Sequence, residues 1–107
     1  MAVDNQMTVD GIGKSKEPGE LILLIADHLD WADEKEHLTL LQNKINAYAL
    51  FIESKQYKNI YGDDDFSSFV IQIMYLHTPS ERARKFVVAA GEYLKSLNIR
   101  IITDTVG

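Results

Sequence analysis

Six consecutive apolar residues, Leu21 to Ala26, run between the breaker Pro18-Gly19 and the acid Asp27. A run this short, bounded at both ends, reads as a strand covered on both faces, because a buried helix needs more residues than this. The chain then turns polar at Asp27, His28 and Asp30, and the only tryptophan, Trp31, follows. Asp30 with Asp33, and Asp33 with Glu36, have the spacing at which a side-chain oxygen accepts an orphan N–H at the start of a helix. Acidic residues there also suit the positive end of the helix dipole.

The other elements arrange themselves around this strand. Met7 to Gly13 reads as a first strand through Met7, Val9 and Ile12, although Gly11 and Gly13 weaken it. Lys14 to Gly19 is a turn, so Met7–Gly13 and Glu20–Ala26 form a hairpin. A helix follows over residues 33–54. Leu38, Leu41, Ile45, Tyr48 and Ile52 make one apolar face, and Leu40, Ala47 and Phe51 widen it. A helix this broadly apolar packs on its own sheet and on a further body, either the second helix or a second copy of the chain. Ser54 to Asp65 is a long connector.

Phe66 to His77 is the next strand, apolar on both faces apart from Gln72, and therefore central. Thr78-Pro79-Ser80-Glu81 has the pattern of a capping box, with Thr78 as N-cap and Pro79 in the first helical position. The second helix runs to about Leu97, where Asn98 takes the left-handed conformation that ends it. Ile99 to Thr103 is a last strand. The order is β-β-α-β-α-β, an α+β domain with a mixed four-stranded sheet and two helices. The stretch 66–103 is a strand, a helix and a strand with short joints, which makes a right-handed parallel crossover. The helices lie on one face or one on each, and the doubly apolar strands favour partial cover on both faces. Residues 1–6 read as a flexible tail and residues 7–104 as a single domain.

Charge and composition exclude several function classes. The 107 residues carry a net charge of −5, which disfavours nucleic acid and anionic membrane surfaces as partners. No apolar segment approaches the roughly 20 residues needed to span a bilayer. There is no secretion-signal layout at the N-terminus. Cysteine is absent, so there is no thiolate nucleophile and no Cys-based zinc site. These features suit a cytoplasmic protein.

Asp27, His28 and Asp30 are the candidate catalytic residues, on the logic of a histidine activated by a neighbouring carboxylate. They lack a nucleophile with a recognisable motif, and the bland reading is a capped turn carrying an exposed histidine. His28, His37 and His77 lack the paired helical spacing of a zinc motif. Asp63-Asp64-Asp65 fails the calcium-loop pattern and reads as a solvated acidic loop. Gly11-x-Gly13 opens no helix, so no phosphate loop is present. No metal and no cofactor is expected. Arg82, Arg84, Lys85 and Lys95 form a basic helix face, solvated or docking an acidic partner. Trp31, Tyr57 and Tyr61 lie in or beside connectors, as core lids or as binding anchors.

The span from Val9 to Val106 resembles a family of short, uncharacterised bacterial proteins of the domain-of-unknown-function kind. The resemblance rests on Gly19-Glu20, on Asp27-His28-Leu29-Asp30-Trp31, and on the helical stretch Leu38-x-x-Leu41-Gln42-x-Lys44-Ile45-Asn46-Ala47-Tyr48 with Phe51-Ile52-Glu53-Ser54. It implies a cytosolic bacterial origin and no activity. The residues and the resemblance together lead to a non-enzymatic interaction module, a homodimer or partner-binding accessory protein. The alternative is a small enzyme or ligand-binding protein using the Asp27, His28 and Asp30 corner.

Overall fold

A computed structural model describes residues 9–106. Its strands are β1 (Gly11–Lys14), β2 (Glu20–Asp27), β3 (Ser68–Tyr75) and β4 (Ile99–Thr105). Its helices are α1 (Glu34–Glu53), the single-turn α2 (Lys58–Tyr61) and α3 (Glu81–Leu94), which continues as a 3₁₀ turn over Lys95–Leu97. The sheet order is β1-β2-β3-β4, with β1 antiparallel to β2 and the other two pairings parallel. The α+β architecture and the mixed four-stranded sheet expected from the sequence are therefore present. The expected start of the hairpin at Met7 lies outside the described residues.

Both crossovers step in the same direction, so right-handed connections place α1 and α3 on the same face of the sheet. Burial agrees with this. Leu21, Leu23 and Ile25 of β2, Phe69, Ile71 and Ile73 of β3, and Ile99 of β4 are buried with Leu41, Ile45, Tyr48 and Ile52 of α1 and Val87 and Leu94 of α3 in one core. The opposite face is left open. Val70 and Glu20 are buried there, Ile22, Leu24, Ala26, Gln72 and Met74 are half-buried, and Ile102 is exposed. The apolar residues on both sides of β2 and β3 thus do not mean two covering layers. They mean one core and one face that no described helix covers.

Local details differ from expectation in two places, while the cap of α1 does not. Asp33 caps α1, its Oδ1 accepting the Glu36 N–H at 3.2 Å. Ser80, not Thr78, caps α3, because its extended backbone brings Oγ to the Ala83 N–H at 3.2 Å. Serine caps as well as threonine, and Ser80 is the residue with the extended backbone next to the first helical turn, so the helix starts after it. The connector after Ser54 is not featureless: α2 seats Tyr57 in the core, edge-on to Phe66 at 5.6 Å between ring centroids. Asn98 ends the 3₁₀ turn in the left-handed conformation, φ 60°, as expected. No helix among the described residues is long and apolar enough to cross a membrane.

Candidate functional site

The C-terminal ends of β2 and β3 bring together Asp27, Tyr75, His37 from the first turn of α1, and Trp31 from the joining loop. In parallel sheets this end of the strands is the usual place for chemistry. Asp27 and Tyr75 are register partners on the helix-covered face. Asp27, His37 and Tyr75 are each about 2% exposed.

His37 is held from both sides of its ring. Its Nδ1 lies 2.8 Å from the Asp30 carbonyl oxygen. A carbonyl can only accept, so Nδ1 carries a proton and donates it. The Nε2 lies 2.7 and 2.6 Å from the two carboxylate oxygens of Asp27, so one further proton is shared across that contact. The Leu29 N–H also donates to Asp27 Oδ1 at 3.2 Å. Trp31 stacks on the imidazole, 3.6 Å between centroids and 18° between planes, and its indole N–H donates to the His77 carbonyl at 3.4 Å. The Tyr75 hydroxyl is buried without a hydrogen-bond partner.

Burial raises the Asp27 carboxyl above its ordinary 3.8, and the hydrogen bond and charge of His37 pull it only part of the way back. Burial and the neighbouring Asp27 charge push the Tyr75 hydroxyl far upward, so it stays a neutral phenol. Between 3.8 and the raised value the folded state holds more protons at Asp27 than the unfolded chain does. Stability contributed by this group is therefore full at low pH and falls as pH rises through that window. The wild-type stability minus that of Asp27→Asn should fall across this interval in denaturant titrations. A difference that rises with pH contradicts the assignment.

Of the residues singled out in sequence, Asp27 is at this corner but its partner is His37, ten residues on, rather than His28. His28 is exposed and makes no hydrogen bond among the described residues. Asp30 contributes its backbone carbonyl to His37, while its side chain accepts the Ala32 N–H at 3.0 Å. Trp31 packs on the histidine. Tyr57 is core, and Tyr61 packs on Phe66 at 5.5 Å with Lys14 over its ring. A cleft of about 390 Å³ opens beside the corner, lined by Leu29, Asp30, Asp33, Glu36, His37 and Leu40. Among the described residues no group of three or more His, Asp or Glu side chains is placed to hold a metal ion.

A second polar cluster was not legible as a site. Lys44 of α1 is fully buried, with Nζ 3.1 Å from Asp10 Oδ1. Asp10 Oδ2 accepts the Ala26 N–H at 2.9 Å, and the Asp10 N–H donates to the Tyr48 hydroxyl at 2.8 Å. That hydroxyl donates to the Leu24 carbonyl at 2.5 Å. The cluster ties the start of β1 to β2 and α1. Its signal in the sequence is a charge inside an apolar stripe, since Lys44 falls between Leu41 and Tyr48 at helical spacing.

Residues 1–106 match a family of unknown function, DUF6572. The chain belongs to DUF6572. No curated protein and no solved structure matches it. Membership agrees with the resemblance read from the sequence and assigns no activity to any residue. Within this DUF6572 chain the chemistry must be judged from geometry alone. Both nitrogens of His37 are already used inside the protein, and the dyad serves as a clamp between β2 and α1.

Proposed function

We propose that this DUF6572 protein is a non-enzymatic interaction module of the bacterial cytoplasm, acting as a homodimer or as an accessory to another protein. One observation carries the reading: a single copy leaves one sheet face without a helix layer among the described residues, where Ile22, Leu24 and Met74 stay partly exposed and Ile102 is 37% exposed. Contiguous apolar surface on a small domain marks an association site. The acidic balance turns that surface towards protein rather than nucleic acid or anionic membrane. The internally saturated Asp27–His37 pair supports the same reading, because a general base needs a free nitrogen facing substrate.

Light scattering during gel filtration tests it. A dimer has twice the 12.1 kDa chain mass and dissociates on dilution. A strict monomer at high concentration sinks the homodimer. The rival is a small enzyme or ligand-binding protein using Asp27, His28 and Asp30, of which Asp30 lines the cleft beside His37. That rival requires His28→Ala to abolish activity, whereas a scaffold tolerates the change.

A further inference from the structure

We propose that a second copy of the chain docks antiparallel along β4, about a two-fold axis at Ile102, joining two four-stranded sheets into one of eight. The inference rests on the self-associating reading above and places the contact at the β4 edge, which takes in Ile102 of the open face.

The backbone of β4 is prepared for it. Phe69 donates to the Asn98 carbonyl at 2.9 Å, and Val106 donates to the Tyr75 carbonyl at 2.8 Å. These bonds set the phase of the strand: even-numbered residues turn their polar groups towards β3, and Ile99, Ile101 and Thr103 turn theirs outwards. No described strand lies beyond. An antiparallel copy centred on Ile102 pairs Ile101 with Thr103 of the other chain through these outward groups, and leaves Ile102 facing itself as the close, non-hydrogen-bonded pair. By contrast β1, the other edge, is four residues long and holds two glycines and a lysine, features that protect an edge.

The charges are self-complementary about the same centre. Arg100 and Asp104 flank Ile102 by two residues on each side, so the axis sets each Arg100 opposite Asp104 of the other copy. Arg100 now reaches Glu20 at 3.4 Å through one nitrogen and its side chain stays 62% exposed, and among the described residues the Asp104 side chain accepts only the N–H of Thr105.

The helix above repeats the pattern independently. Val88, 66% exposed, is flanked at four residues by Arg84 and Glu92, which form no ion pair among the described residues. An antiparallel α3 pair centred on Val88 sets Arg84 against Glu92 twice. The two centres stand at the same height. Val88 lies about 10 Å along α3 from Glu81, at 1.5 Å per residue. Ile102 lies about 10 Å along β4 from Thr105, at 3.3 Å per residue; Thr105 pairs with Tyr75, the last residue of β3, from which the 76–80 loop leads to Glu81. A cleft of about 750 Å³ between α3 and β4, with Val88, Gly91, Ile101 and Thr103 in its walls, gives the partner helix its seat.

The chain has no cysteine, so Ile102→Cys introduces the only thiol, at a position exposed enough to tolerate it. Mild oxidation should convert Ile102→Cys to a covalent dimer, while Glu53→Cys at the end of α1 stays monomeric on a non-reducing gel. Arg100→Cys mixed with Asp104→Cys should cross-link as the mixed dimer, and neither alone. Asp104→Arg should raise the dimer dissociation constant about tenfold by setting like charges opposite each other. A dimer in light scattering without these cross-links overturns the β4 interface and leaves the module reading standing. A monomer in light scattering overturns the β4 interface and the homodimer together, and leaves only the accessory form of the module reading.

Discussion

Lys44→Met should lower the unfolding free energy by about 3–5 kcal/mol, the cost of breaking a buried ion pair from one side. Lys44 is fully buried and the Asp10 side chain nearly so. Without the ammonium the carboxylate keeps the Ala26 N–H, which cannot neutralise it. The loss should be partly recovered in Asp10→Asn with Lys44→Met, where no charge remains to be buried. Chemical denaturation of the two variants and the wild type measures this. A cost for Lys44→Met below about 1 kcal/mol means the pair behaves as a solvated surface bridge. Because Asp10 also binds the Tyr48 hydroxyl, hydrogen exchange should show the β1 end of the sheet opening first in the variant.

The second large effect separates two histidines that lie nine residues apart. His37→Ala should cost about 3–5 kcal/mol, since it strips Asp27 of its partner and Trp31 of its stacking surface. His28→Ala should stay within about 0.5 kcal/mol of wild type, as an exposed side chain without a bond does. Tryptophan fluorescence reports the same contrast, because only His37 touches the indole. A severe His28→Ala with a mild His37→Ala reverses the roles assigned to them.

The sequence was most legible where local rules act alone. The run Leu21–Ala26 between breakers became the central strand β2, Asp33 capped α1, and Asn98 turned left-handed. It was less legible where contacts are long-range. Apolar residues on both sides of a strand say that both sides avoid water, and cannot say whether the cover comes from the same chain. The candidate corner was found through Asp27 and Trp31, but adjacency in sequence favoured His28. The fold chose His37, because residues 27 and 28 lie on opposite faces of a strand while α1 crosses directly above Asp27. Lys44 was hidden for a related reason: a basic residue on a helix is ordinarily solvated, and its burial goes with a partner far along the chain, Asp10.

The sequential order β1-β2-β3-β4 has a consequence for the birth of the molecule on the ribosome. Each strand pairs with the one made immediately before it, so no slot must be held open for a later arrival. The growing sheet can add one rung at a time in the direction of synthesis, closing the hairpin first and then the crossovers through α1 and α3. Its most recently made strand is always the outermost one.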